Sequence, residues 1–424
     1  MACRRHPHVK SEIIVGYVKG AARGSMRVMM VDPLFTTMPY DKCLCAALAQ
    51  AGHQVCIVAK PQDKQTWDIP CVEHVCLNVA DLLEPSSLSG ARLRILSAWR
   101  HLSYGLKIQS ISALARKWQA DVVHFQWCLS PLAELLLLRR LRHGTILIYT
   151  VHDTVPFNGS RMSSFMTLGL GALMKRFDRL IVHTDAAKNV LIAQGLDGTS
   201  IFTVPHGPLG LRAKRNGGDL QVADRKATSD QKGSQKVEFL LFGGMKEYKG
   251  IDVLIAAAGL LPKPIRDRCR FKVAGEPAVD LKRLMDLCKE AQVEEAFEFD
   301  ARFFRDEEMD LVLEGADVFL FPYRRIEASG VFSMAIQYGR PFIASDIGIF
   351  KEKVIHGCHG WLVAPESPQD LANAIARAVL EPIRRLEMGA NVERMRESLP
   401  MWDHIAAATD EVYKQRRPRD GRCD

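Results

Sequence analysis

Two short stretches carry residue types that suit an anionic ligand rich in hydroxyls. The first is FGGMKEYKG, residues 242–250. Gly243 and Gly244 allow close backbone approach, and Lys246 and Lys249 flank a turn that opens a helix. Two ammonium groups beside a glycine turn suit a diphosphate. The plain alternative is a turn with two solvated lysines. The second stretch is PYRRIEASGV, residues 322–331. Glu327 stands in a loop there, and Ser329, Gly330 and Val331 begin a helix. The backbone N–H groups of 330–333 are therefore expected to point outward without partners. The neighbouring Glu327 carboxylate can accept hydrogen bonds from sugar hydroxyls. The alternative is a capping segment with a surface glutamate. Phe332, Met334, Ala335 and Ile336 read most simply as core.

A third group lies in the N-terminal half. TVHDTVP (150–156) puts His152 and Asp153 at the carboxyl end of a strand. An imidazole there can donate to a substrate hydroxyl or meet developing charge. VVHFQW (122–127) and VPHG (204–207) put His124 and His206 at other strand ends, as acceptor-side candidates. For each histidine the competing reading is a structural one.

Strands and helix starts must hold these residues, and the sequence alternates between the two. MRVMMVD (26–32) is a continuous apolar run, YDKCLCAALAQAG (40–52) has helical spacing, and HQVCIVAK is a second strand. The pattern repeats through strands at 121–125, 145–153 and 201–207. It lapses over residues 208–236, a polar stretch that reads as a linker or insert. It resumes at VEFLLFGG (237–244), FKVAGE (271–276), DVFLFPY (317–323) and PFIAS (341–345). Residues 26–207 and 237–385 are thus expected to form two doubly wound α/β domains. Residues 1–25 would be a loose basic extension. Residues 386–424 would be a helical segment returning to the N-terminal domain. Ligands of open α/β sheets bind at the carboxyl ends of the strands, which places the site in a cleft between the domains.

Composition narrows the class. A chain of 424 residues exceeds what one core usually supports. The net charge is +8. Residues 1–210 hold 23 basic and 14 acidic residues, hence +9, and the remainder holds 34 and 35, hence −1. The N-terminal half either faces an anionic partner or carries solvated charge. Eleven cysteines without a Cys-x-x-Cys pair read as free thiols in a reducing compartment. IIVGYV is too short for a signal core, and no run reaches about eighteen apolar residues, so a cytoplasmic chain without spanning helices is expected. No G-x-G-x-x-G follows the first strand, where DPLFTTMPYD stands instead, which argues against a dinucleotide at that position. The basic residues lack interleaved aromatics, which argues against nucleic acid.

YTVHDTVP, VPHG, FGGMKEYKGIDVLI, VAGE, ADVFLFPYRRIEASGV and YGRPFIASDIGIFKEKVIHGCHGWLVAP stand in the order found in retaining glycosyltransferases of family 4. Over residues 26–415 the chain resembles that family, with its GT-B fold of two Rossmann-like domains. It is most similar to the branch of exopolysaccharide and lipid-linked sugar assembly. The resemblance implies transfer of a hexose from a nucleotide sugar to a saccharide or polyprenyl-linked acceptor. It implies catalytic roles for His152, Glu327 and Lys249. It implies a donor site of Gly243, Gly244, Lys246, Lys249, Glu327, Ser329, Gly330 and Val331, and an acceptor side near Asp153, His124 and His206. The family's second motif glutamate is Ala335 here, so the usual ribose contact is missing, and the glycine pair of the first loop is absent.

Departing diphosphate charge would be met by Lys246, Lys249 and the amides after Ser329, so neither metal nor other cofactor is expected; no Asp-x-Asp triplet occurs. Residues 91–118 mix Arg92, Arg94, Arg100 and Lys107 with leucines, and Arg139, Arg140 and Arg142 follow LLLL. Both stretches suit peripheral contact with an anionic membrane, or are ordinary helices with solvated basic faces. Rival readings are a non-catalytic sugar-nucleotide-binding partner subunit, and a GT-B epimerase or phosphorylase.

Overall fold

The computed structural model describes residues 24–61, 69–77, 104–141, 144–154, 169–209, 236–326 and 329–415, with only the backbone of Asp306 and Glu307. Residues 1–23, most of the polar stretch 208–236, the basic residues Arg92, Arg94, Arg100 and Arg142, and Glu327 lie outside the described residues.

The chain builds two parallel sheets. The first comprises β1 (Arg27–Asp32), β2 (Gln54–Ala59), β3 (Val72–Cys76), β4 (Val122–Phe125), β5 (Ile146–Thr150), β6 (Arg179–Val182) and β7 (Ile201–Thr203). Its order is β3-β2-β1-β4-β5-β6-β7. The second comprises β8 (Val237–Phe242), β9 (Cys269–Ala274), β10 (Phe297–Asp300), β11 (Val318–Phe321), β12 (Phe342–Ser345) and β13 (Gly360–Val363), in the order β10-β9-β8-β11-β12-β13. Separate apolar clusters cover the two faces of each sheet. Burial on both faces is why β1 and β8 read as unbroken apolar runs. The strand order reverses between β1 and β4 and again between β8 and β11. Those switch points open crevices at the strand carboxyl ends.

Several elements depart from the sequence reading. The edge strand β3 is half-exposed, and its VEHVC mixes polar and apolar residues without a clean period; β13 is only four residues long. Neither was expected. β5 ends at Thr150, so His152 and Asp153 lie in the loop beyond it. The helix expected to begin at Ser329–Val331 is short, an α-helix Gly330–Ala335 followed by a 3-10 turn Ile336–Tyr338.

The C-terminal segment expected to cross from residue 386 crosses later. Helix Pro382–Glu397 stays on the second sheet, burying Met388 and Val392 there. Helix Trp402–Lys414 makes the crossing. It buries Ile405, Ala406, Val412 and Tyr413 against β1 and helix Met38–Gln50. The stripe of Met388, Val392 and Met395 faces one sheet and that of Ile405, Val412 and Tyr413 faces the other, so the boundary falls between the two helices. Trp402 anchors the return: its indole N–H donates to the Pro208 carbonyl at 2.8 Å. A Cβ on Gly207 would lie 2.6 Å from that indole, which keeps residue 207 a glycine. Among the described residues all nine cysteines are free, and no helix is long and apolar enough to cross a membrane.

Candidate active site

The donor-side residues assemble where β8 leaves the second sheet. The chain turns at Gly243 (φ 89°), passes through the 3-10 turn Glu247–Lys249, and enters helix Ile251–Leu260 through Gly250 (φ 67°). Positive φ is one reason for these glycines, and crowding is the other. A Cβ on Gly243 would lie 2.8 Å from Lys249 Nζ and 2.8 Å from Val331 Cγ2. One on Gly250 would lie 2.1 Å from the Pro322 carbonyl oxygen. The lysine turn therefore packs backbone-tight against the exit of β11.

Lys249 folds back over the strand end. Its ammonium donates to the Phe242 carbonyl at 2.8 Å and lies 5.6 Å from the centre of the Tyr323 ring. Only 3% of Lys249 is exposed. Burial, helped by the charge of Lys246, lowers its pKa to about 7. Lys246 itself is exposed. Arg324 holds the turn from behind. Its amide donates to Tyr248 O at 2.7 Å. Its guanidinium donates to both Asp252 oxygens at 3.0 and 2.6 Å, to Glu247 O at 2.7 Å, and to Glu366 at 2.9 Å.

Ser329 caps the short helix opposite. Its Oγ accepts the Phe332 N–H at 3.2 Å, and its carbonyl accepts the Ser333 N–H at 3.0 Å. The expectation of four open amides over 330–333 is thus corrected to two. Among the described residues, the N–H groups of Gly330 and Val331 have no acceptor. Tyr323 is buried, and its hydroxyl lies beside Ser329 yet completes no hydrogen bond of normal geometry among the described residues. Such an orphan costs about 1–3 kcal/mol. Ala335 is fully buried in the aromatic cluster of Phe319, Phe321 and Phe332, so no carboxylate stands at that position.

The N-terminal sheet contributes a row of histidines. His152 Nε2 lies 2.9 Å from Gln126 Oε1, and His152 Nδ1 lies 3.2 Å from His183 Nε2. His183 Nδ1 lies 3.0 Å from Val204 O. Trp127 stacks on His152 at 5.7 Å and 9°. Both ring nitrogens of His152, which was expected to face substrate, meet protein groups here. His124 is corrected as a cleft residue. It is fully buried, 2.7 Å from Tyr413 Oη on one side and 2.7 Å from Thr150 Oγ1 on the other, tying the last helix to the sheet. His206 is half-buried, with Nδ1 2.7 Å from the Gly207 carbonyl oxygen. Burial pushes the imidazoles of His124 and His183 down to about 3 and that of His206 to about 4; His152 falls well below its usual range. The row is therefore neutral at physiological pH. Sequence reasoning missed His183, although RLIVHT ends a strand as TVHD does.

The first loop holds buried carboxyls instead of glycines. Asp32 accepts the Thr37 N–H at 3.0 Å, and burial raises the pKa of both Asp32 and Asp41. The two halves of the site face one another. Asp153, in the loop after β5, adds to burial in raising the pKa of Tyr248, which lies in the lysine turn. Leu209, just beyond β7, approaches Gly330, where a Cβ would lie 3.7 Å from its Cδ1.

Comparison with known proteins agrees with this geometry. The family described as Glycosyltransferase Family 4 matches residues 42–207, and that described as Glycosyl transferases group 1 matches residues 224–395. The D-inositol 3-phosphate glycosyltransferase of Kineococcus radiotolerans is 26% identical, over 88% of each chain. The glycogen synthase of Mycobacterium tuberculosis is 26% identical, over 87% of this chain and 88% of its own. Among solved structures, Anabaena HepE in complex with UDP and glucose superposes with a TM-score of 0.68 at 16% identity, covering 91% of this chain and 99% of its own. Sucrose-phosphate synthase from Thermosynechococcus elongatus gives 0.70 at 19% identity, covering 92% and 98%. These solved structures share the fold. With both halves matched in chain order on two parallel sheets, the chain has the GT-B fold, its N-terminal half matching glycosyltransferase family 4 and its C-terminal half the group 1 glycosyl transferases.

Proposed function

We propose that the protein transfers a hexose from a nucleotide sugar to a hydroxyl of a saccharide or lipid-linked acceptor, with retention at the anomeric carbon. The observation that carries this reading is Lys249. A nearly buried ammonium pressed against a glycine turn, at the carboxyl end of the strand bordering the switch point, is a preformed seat for a diphosphate. The open amides of Gly330 and Val331 and the exposed Lys246 add donors around it.

In the transfer, the bond from the anomeric carbon to the diphosphate oxygen breaks and the bond to the acceptor oxygen forms on the same face. The acceptor proton passes to the departing diphosphate. Negative charge gathers on the leaving group, so donors fixed there stabilise the transition state more than the ground state. Each well-placed donor contributes about 3–4 kcal/mol. In this reading two lysines do what a metal does elsewhere, and turnover is insensitive to chelator. Glu327 would meet the donor hexose. The relative from Anabaena binds UDP and glucose, which supports a uridine donor here. Lys249→Ala tests the reading. Release of UDP from UDP-glucose should fall about 10²–10³-fold, with an unchanged circular dichroism spectrum; full activity would refute it. A non-catalytic partner subunit, suggested by Ala335, would release no UDP at all.

A membrane-facing acceptor side has its own support. Leu106, Leu132 and Leu136 are 70%, 61% and 55% exposed, beside Lys107, Arg139 and Arg140. The segment of Leu106 and helix Pro131–Leu141 are joined by Gln109 Nε2, which donates to Ala133 O at 3.0 Å. Exposed leucines bordered by cations suit an anionic lipid surface. Co-sedimentation with phosphatidylglycerol vesicles at low salt is the test, and its absence would remove this part of the reading.

A further inference from the structure

His152, His183 and His206 follow β5, β6 and β7 side by side. Their ring centres are spaced 5.0 and 5.1 Å, and Tyr40 packs against all three. The hydrogen bonds determine where the protons sit. His183 Nδ1 faces the Val204 carbonyl oxygen at 3.0 Å, and His206 Nδ1 faces that of Gly207 at 2.7 Å. A carbonyl only accepts, so both Nδ1 atoms carry hydrogen. Burial keeps both rings neutral, so each Nε2 is a bare lone pair. His183 Nε2 lies 3.2 Å from His152 Nδ1, so His152 donates there and its own Nε2 is bare as well.

Gln126 completes the chain. Its carboxamide lies 2.9 Å from His152 Nε2. The two ends of a carboxamide differ in their hydrogens, and a neutral row turns the nitrogen toward His152. The oxygen could sit there only if His152 or His183 were an imidazolium, a charge that burial and the neighbouring His206 oppose at both.

We infer that this row is a polarised chain of Nδ1-protonated imidazoles whose open end, His206 Nε2, accepts a hydrogen bond from a saccharide hydroxyl. His206 is half-buried, and its Nε2 has no partner among the described residues. Its position suits the task. Trp402 pins Gly207 and Pro208, and Leu209 reaches the start of helix Gly330–Ala335, so His206 stands on the segment that leads to the donor side. An acceptor locked in this tautomer selects a hydrogen-bond donor. A hydroxyl fits and a carbonyl does not. The nature of the ligand rests on the proposed transferase function, and the tautomers do not.

The test uses the full chain labelled with ¹⁵N-histidine, at pH 7.5, assigned with single variants. Long-range ¹⁵N–¹H spectra should show protonated Nδ1 and bare Nε2 at His152, His183 and His206. An Nε2–H pattern or an imidazolium at any of the three overturns the inference. With UDP present, D-glucose should then shift the His206 Nε2 resonance while the tautomer stays. His206→Phe should weaken glucose binding about tenfold, the effect of one hydrogen bond left unmade, and His206→Gln, which keeps an acceptor, should restore most of it. Equal glucose affinity in His206→Phe and the unsubstituted protein overturns the inference. Failure of UDP to bind at all would overturn the donor-site reading instead, and the tautomers would still decide this one.

Discussion

A diphosphate seated on Lys249, as proposed, would make binding a proton-coupled event. In the free protein its pKa is lowered to about 7, chiefly by burial. At pH 8 only about one molecule in ten then carries the ammonium. A diphosphate seated against Nζ favours the charged form and lifts the pKa well above 8. Binding UDP at pH 8, where the terminal phosphate of the free nucleotide is already ionised, should therefore take up about 0.9 proton. The histidine row does not contribute, because burial holds its members neutral above pH 6. Affinity should fall about tenfold per unit as pH rises above 7, until the pKa of the bound state is reached. Calorimetry in two buffers of different ionisation enthalpy reads the uptake directly. Lys249→Met should abolish it while weakening binding. UDP binding at pH 8 with no proton uptake would refute the assignment of Lys249 as the buried diphosphate partner.

Stability should carry the same signature. The folded pKa lies below the ordinary lysine value of 10.5, so between pH 7 and 10.5 the unfolded state binds more protons and stability rises with pH, by at most about 5 kcal/mol. Urea titrations at pH 7.5 and 9.5 should show the rise in the unsubstituted protein and lose it in Lys249→Met. Gly250→Ala combines positive φ with a clash on Pro322 and should cost about 3 kcal/mol or more in the same titration; a neutral result would mean the lysine turn is looser than described. Tyr323→Phe removes an orphan hydroxyl and should stabilise the ligand-free protein by about 1–2 kcal/mol. A loss of stability would show that the hydroxyl is partnered after all.

The parallel sheets were legible because their strands are buried on both faces and leave continuous apolar runs, as in MRVMMVD and VEFLLFGG. Edge strand β3 was not, since half-exposure gives VEHVC a mixed pattern. The turn FGGMKEYKG announced itself through glycines and lysines adjacent in the chain. Its three-dimensional content did not. Val331 against Gly243, and Arg324 tied to Asp252, join residues 72 or more apart in sequence. His183 was missed because a single histidine at a strand end says nothing until β5, β6 and β7 lie side by side. The crossing point of the C-terminal helices needed the two apolar stripes to be matched to two different sheets.

A crystal structure grown with UDP tests the central claim most directly. The account predicts the pyrophosphate between the Gly243–Lys249 turn and Gly330–Val331, with Lys249 Nζ and the two open amides within hydrogen-bonding distance of its oxygens. A pyrophosphate held elsewhere, with Lys249 still bound only to the Phe242 carbonyl, would contradict it.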